Sequence, residues 1–172
     1  MRRTSLHPAP ALLLTAAALV TLTAGCSAGP AHSGTATTPQ PRQATAVATE
    51  EFGLLAGGGW AQAWSLWDPG ARQTITQADF VRLNTECRPA LGTPYVIDRS
   101  ATLDATTVQV DWHRAATATG AGTGTSTGAS GSNTVRYQGG RWTFVPDPAT
   151  LAGYRLGVDR LVQQRRAAGA CH

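Results

Sequence analysis

The chain has 172 residues, with 14 arginines and no lysine against 10 acidic residues, and a formal net charge of +4. The arginines are spread along the sequence, and enrichment in Ala, Thr, Gly and Arg without lysine is typical of a high-GC genome, so the basic balance does not indicate a nucleic-acid-binding surface. A chain of this length suits a single folded domain with one core.

The first 25 residues have the anatomy of a secretory signal. Arg2 and Arg3 form a positive start, and residues 11–23 are uncharged and mostly apolar. This apolar run is shorter than the roughly 20 residues of a transmembrane helix, and small and polar residues follow it. The sequence therefore predicts a cleaved signal peptide over residues 1–25, whose removal lowers the formal net charge to +2.

The junction Leu22-Thr23-Ala24-Gly25-Cys26 resembles the lipobox of bacterial lipoproteins, with its leucine one position earlier than in the commonest form. The resemblance implies transfer of a diacylglyceryl group, with acyl chains such as palmitate, to the Cys26 thiol, followed by cleavage before Cys26. Two such chains would hold the protein durably at the extracytoplasmic face of the cell membrane. The alternative is an ordinary secretory signal followed by a free thiol.

Composition divides the mature chain into a tether and a domain. Residues 26–45 are mainly Ala, Thr, Pro, Gly, Ser and Gln, which predicts a disordered tether. Residues 46–172 hold all five Trp, three Tyr and three Phe and are predicted to form one domain. Within it, residues 115–132 contain only Ala, Thr, Gly and Ser, which predicts a long flexible hairpin loop.

The remaining cysteines are expected to pair. Exported proteins meet an oxidising environment, so a disulfide between Cys87 and Cys171 is predicted, with two reduced thiols as the alternative. These cysteines and His172 fall short of a tetrahedral ligand set. We therefore expect no metal site and no other cofactor.

Apolar spacing and capping signals predict the helices. Residues 50–67 have helical spacing with a break at Gly57-Gly58-Gly59, and a turn is expected at Asp68-Pro69-Gly70. Residues 76–79 resemble a capping box that opens a helix ending before Pro89. A single C-terminal helix is predicted to begin after Asp147 and to present a basic face, either solvated or in contact with anionic lipid or wall polymer, formed by Arg155, Arg160, Arg165 and Arg166.

Period-two alternation predicts strands at residues 95–101 and 107–113, and the hairpin signal at residues 138–140 predicts two more, at residues 133–137 and 141–145. In the second strand, Val108, Val110 and Trp112 are predicted to face the core. Helices followed by antiparallel strands indicate an α+β fold in which N-terminal helices pack on one sheet face, with a further helix at the C-terminal end.

Three segments resemble motifs of the small extracytoplasmic NTF2-like domains of bacteria: residues 60–66 (WAQAWSL), residues 76–80 and residues 140–144 (GRWTF). The resemblance spans residues 50–146 and implies a curved antiparallel sheet covered by helices. The C-terminal helix departs from that pattern. In overall layout the chain is similar to uncharacterised actinobacterial lipoproteins, which implies no particular activity.

Asp111 and His113 are the candidate catalytic pair, because positions i and i+2 of a strand share one face. In NTF2-like enzymes the concave sheet face lines the pocket, where Asp98 and Arg99 of the neighbouring strand would join them. Alternation instead turns the pair away from the core. The leading hypothesis is a non-catalytic binding or envelope accessory module for a small ligand or envelope protein, and the alternative is an enzyme that uses this pair.

Overall fold

The computed structural model describes residues 38–115 and 128–172, which belong to one compact unit, Ala36–His172. The signal segment, Cys26 and most of the predicted tether lie outside the described residues. The elements are α1 (Pro41–Gly57), α2 (Trp60–Leu66), α3 (Pro69–Arg72), α4 (Gln77–Glu86), β1 (Tyr95–Asp104), β2 (Thr107–Arg114), β3 (Ser130–Gln138), β4 (Arg141–Val145), α5 (Pro148–Tyr154) and α6 (Val158–Ala167).

A four-stranded antiparallel sheet of order β1-β2-β3-β4 lies at the centre of the fold, and α1 contacts all four strands. The mixed α+β class and the four strands are therefore as predicted. Val108 and Val110 are buried on the helix-covered face. Strand β3 begins at Ser130, so three residues at the end of the predicted loop over 115–132 are strand, and the middle of that loop lies outside the described residues.

Helix α1 begins at Pro41, so the last five residues of the predicted tether over residues 26–45 are helical. Proline suits the first helical position because its missing N–H has no partner there in any helix. Ala44 and Ala48 are fully buried, since alanine permits a close approach of the helix backbone to the rest of the core. The first turns of α1 therefore belong to the domain, although their small, weakly hydrophobic residues have the composition of a tether.

The glycine break between the first two helices is confirmed. Gly58 has φ 82° in the left-handed region that glycine tolerates, and its N–H bonds to the Leu54 carbonyl as a helix cap. The expected turn at residues 68–70 is instead the start of the short helix α3, because the Asp68 carboxylate accepts from the N–H groups of Gly70 and Ala71.

Helix α4 is capped as predicted: the Thr76 hydroxyl accepts a hydrogen bond of 3.1 Å from the Asp79 N–H. Its inward side chains, Phe80 and Leu83, are buried, as is Cys87 directly after the helix. Cys87 forms a disulfide with Cys171, with Cα atoms 4.7 Å apart. The predicted crosslink is thus present, and it joins the end of α4 to the chain beyond α6.

The single C-terminal helix was a wrong prediction, because the segment forms two helices. Asp147 caps α5 through the Thr150 N–H, but α5 ends at Tyr154 and α6 begins at Val158. Gly157, with φ 85°, separates them. A left-handed residue interrupts the helical hydrogen bonds and lets α6 turn onto α4, which it contacts.

Over residues 38–115 and 128–172, none of the helices has both the length and the apolar character needed to cross a bilayer.

Candidate functional site

Asp111 and His113 lie on the sheet face opposite the helices, and each binds a different partner. The Arg99 guanidinium donates to Asp111 Oδ2, with Nη2 at 2.7 Å and Nε at 3.0 Å. His113 Nδ1 lies 2.7 Å from Asp98 Oδ1. Asp111 and His113 are therefore each paired with a side chain of the neighbouring strand β1 and not with each other.

A β-bulge explains this pairing. The register between β1 and β2 shifts between Ile97 and Arg99, which leaves Asp98 as an extra residue and turns both Asp98 and Arg99 outward. Hydrogen bonds from Gln109 and from Arg99 lower the pKa of Asp111 to about 2. A carboxylate that holds its proton this weakly is a poor general base near neutral pH.

The helix-covered side of the sheet contains a cavity of about 460 Å³, bounded by α1, by the sheet and by the C-terminal helices. Much of its wall is aromatic. Phe52 stacks on Tyr95 with ring centroids 5.0 Å apart, and Trp112 lies 5.0 Å from Tyr95. Deeper in the domain, Trp67 packs against Phe80 and Tyr154. The cavity thus offers flat apolar surfaces that suit a small organic ligand.

Glu51 is the most unusual residue of this wall, because its carboxyl group is fully buried. Oε1 accepts a hydrogen bond of 2.9 Å from Trp67 Nε1, whereas Oε2 has no partner among the described residues. Burial raises the pKa of Glu51 to about 8. At neutral pH the group is mostly an uncharged acid with a proton that it can donate.

The sequence analysis missed Glu51, although a signal was present. Ala44, Ala48, Glu51 and Phe52 follow a spacing of i, i+4, i+7 and i+8, which places all four on one face of α1. Because this face is the buried one, a glutamate within the stripe marks a carboxyl group inside the core.

Two arginines reach the same cavity. The Arg114 guanidinium lies over the Tyr95 ring, 5.1 Å from its centroid. Its Nη2 donates to the Ala90 carbonyl at 2.7 Å, while its Nε is buried without a hydrogen-bond partner. Arg165 Nη1 donates to Asn84 Oδ1 at 3.4 Å. Arg165 therefore belongs to the cavity wall and not to the solvated or lipid-facing surface considered from sequence.

The tryptophans serve both the core and the cavity. Trp67 and Trp142 are buried, while Trp60, Trp64 and Trp112 pack partly buried against the core. Within the described part of the chain, no cluster of three or more His, Cys, Asp or Glu residues could hold a metal ion.

No protein-family model, curated protein or solved structure matches this chain. The inference about function therefore rests on the cavity and on the N-terminal sequence.

Proposed function

We propose that this chain is a lipoprotein, anchored through Cys26 at the extracytoplasmic face of the membrane, whose NTF2-like domain binds a small ligand in the cavity on the helix side of the sheet. The observation that carries the binding proposal is Glu51, buried at the cavity with Oε2 unpartnered. An unsatisfied buried polar group costs about 1–3 kcal/mol. Such a cost is typical of a functional site, where a ligand supplies the missing partner.

The geometry favours a binding module over the enzyme hypothesis. Asp111 and His113 do not line the cavity, and both are engaged on the opposite sheet face, Asp111 by the Arg99 guanidinium and His113 by the Asp98 carboxylate. A ligand in the cavity would therefore contact neither group.

Export is supported by the Cys87–Cys171 disulfide, since such crosslinks persist in oxidising compartments. The anchor itself is testable by replacing Cys26 with Ala, which removes the acylated thiol. We expect the variant to leave the membrane fraction or to remain unprocessed, whereas Cys171→Ala, the matched control, stays with membranes. Processed Cys26→Ala protein that still sediments with membranes would contradict the anchor.

Ligand binding is testable with the uncharged dye N-phenyl-1-naphthylamine and purified chain carrying Cys26→Ala, so that no attached lipid competes for the dye. We expect saturable binding to one site and a rise in dye fluorescence. Leu55 lines the cavity, and Leu55→Trp should fill it and reduce the binding.

The control is Leu103→Trp, because Leu103 is 59% exposed near the end of β1. This variant should bind the dye as the parent does. Equal dye binding by both tryptophan variants, or no saturable binding by the parent, would contradict a ligand site in this cavity.

A further inference from the structure

We propose that the cavity binds a small organic carboxylate, with the anionic group held by Arg114 and Arg165 and the flat apolar body packed among Phe52, Tyr95 and Trp112. This inference rests on the proposed function as a ligand-binding module and specifies the chemical class of the ligand.

The charge balance of the cavity wall is the first argument. Arg114 and Arg165 both line the cavity, and neither is in an ion pair with any described carboxylate. The Asp147 carboxylate also lines the cavity, but it accepts from the Thr150 N–H and hydroxyl and is paired with neither arginine. Each of the two guanidinium groups therefore lacks a carboxylate within ion-pair distance among the described residues, whereas buried charged groups normally have such a partner.

Arg114 supplies the second argument, because its position is fixed and one of its donors is free. Its hydrogen bond to the Ala90 carbonyl and its stacking on Tyr95 hold the guanidinium plane. The Nε–H is buried and unpartnered. A planar guanidinium with a free edge matches the geometry of a carboxylate, and the charge-assisted hydrogen bond would satisfy the buried donor.

Glu51 supports an anion and argues against an amine. Burial keeps Glu51 protonated at neutral pH, with a pKa of about 8, so this carboxyl group gives a cationic ligand no counter-charge. In this form the acid adds no negative charge that would repel an anion, and its free O–H can donate to a polar atom of the ligand. The cavity also contains the positive charge of two arginines, which disfavours an ammonium group.

The aromatic wall distinguishes a monocarboxylate from inorganic phosphate. Phe52, Tyr95 and Trp112 form a contiguous aromatic cluster with centroid separations of 5.0–5.6 Å. Desolvation of inorganic phosphate, an anion whose oxygens are all polar, would be costly beside such rings, whereas a flat apolar body gains from burial against them.

Three probes of nearly identical shape and different charge test the proposal: 2-naphthoate, the neutral 2-naphthamide and the cationic 2-naphthylmethylamine. Isothermal titration calorimetry at pH 6.5 on the chain with Cys26→Ala would give their dissociation constants. We expect 2-naphthoate to bind at least tenfold more tightly than the amide, and the amine to bind least. Inorganic phosphate should not compete.

Arginine variants test whether the preference for the carboxylate over the amide arises from this cavity. A charge-assisted hydrogen bond corresponds to about a tenfold or greater change in affinity, so Arg114→Gln should weaken 2-naphthoate binding by that factor and leave 2-naphthamide binding within about twofold. Arg165→Gln should have the same selectivity with a smaller effect. The matched controls are Arg99→Gln on the opposite sheet face and Arg160→Gln on the exposed side of α6, which should bind like the parent.

The outcomes separate the two proposals. Equal binding of amide and carboxylate, tighter binding of the amine, or loss of preference in the control variants would overturn the carboxylate proposal while leaving dye binding in the cavity intact. If neither the dye nor any naphthalene probe binds, both proposals fail. If Arg114→Gln does not fold by circular dichroism, the comparison of the three probes on the parent chain still decides the ligand class.

Discussion

The burial of Glu51 links the stability of the domain to pH. Its pKa is about 8 in the folded chain against a usual value of 4.5, because burial penalises the ionised form. Between these two values the folded chain retains a proton that the unfolded chain releases. The free energy of unfolding therefore decreases as pH rises through this window, and the stabilisation from the protonated group is complete only below pH 4.5.

Replacing Glu51 with Gln removes this titration while nearly preserving the shape of the side chain. Each pKa unit corresponds to about 1.4 kcal/mol, so the parent should lose a few kcal/mol between pH 5 and pH 9 that Glu51→Gln retains. The variant should be more stable than the parent at pH 9 and close to it at pH 5. Urea unfolding followed by tryptophan fluorescence at several pH values measures both profiles.

The control for this experiment is Glu50→Gln, because Glu50 is the exposed neighbour in the same helix. It should keep most of the pH dependence of the parent, because burial is the main cause of the raised Glu51 pKa and the charge of Glu50 adds less to it. Parallel profiles for the parent and Glu51→Gln would contradict a buried, protonated carboxyl group.

At the scale of elements, capping decides where the helices begin. Thr76 and Asp147 both accept a hydrogen bond from the N–H three residues later, as an N-cap does. Both caps are readable from sequence, since each precedes an apolar helical stripe. By contrast, the division between α5 and α6 at Gly157 was not predicted from sequence, and it accompanies the packing of α6 against α4.

We predict that Thr76→Ala lowers the free energy of unfolding by about 1 kcal/mol, the usual contribution of an N-cap. Thr85→Ala provides the comparison within the same helix, where the exposed Thr85 hydroxyl donates to the Val81 carbonyl. Because alanine has the higher helix propensity, Thr85→Ala should be neutral or slightly stabilising. Urea denaturation at fixed pH distinguishes the two, and equal destabilisation would refute a specific role for the cap.

At the scale of the whole molecule, the Cys87–Cys171 disulfide holds the end of the chain against α4. The cysteines are 84 residues apart in sequence. The residues that follow the two cysteines are also in contact, because the His172 N–H donates to the Arg88 carbonyl at 2.7 Å. His172 in turn lines the cavity, so the crosslink also fixes part of the cavity wall.

Removal of this crosslink should destabilise the domain strongly. For a loop of this length the chain-entropy model gives roughly 4–5 kcal/mol, so Cys171→Ala and the double variant Cys87→Ala/Cys171→Ala should melt well below the parent in differential scanning calorimetry. Cys26→Ala should melt like the parent, because Cys26 precedes the folded domain. A melting temperature unchanged by loss of the disulfide would show that closing this loop contributes little to the stability of the domain.

Short-range patterns by themselves determined much of the architecture. Alternation located the first two strands and assigned Val108 and Val110 to the core, and a hairpin signal located the last two strands. Helical spacing located Phe80 and Leu83, and the glycines at 57–59 marked a helix break. The pairing of Cys87 with Cys171 was predicted from the oxidising environment expected of an exported protein. These features depend on residues close in sequence or on very few candidates, so a single chain is sufficient to predict them. The signal peptide and the Cys26 anchor remain sequence-based predictions.

The tertiary structure alone decided the site. Sequence analysis chose Asp111 and His113 because they are neighbours in one strand, yet a single bulge residue, Asp98, directs each toward a separate partner on the outer face. Glu51, Arg114 and Arg165 come from α1, β2 and α6, and only long-range packing brings them to one cavity. Burial and hydrogen bonding set the proton affinities of the carboxyl groups, and both depend on neighbours distant in sequence that local patterns do not specify.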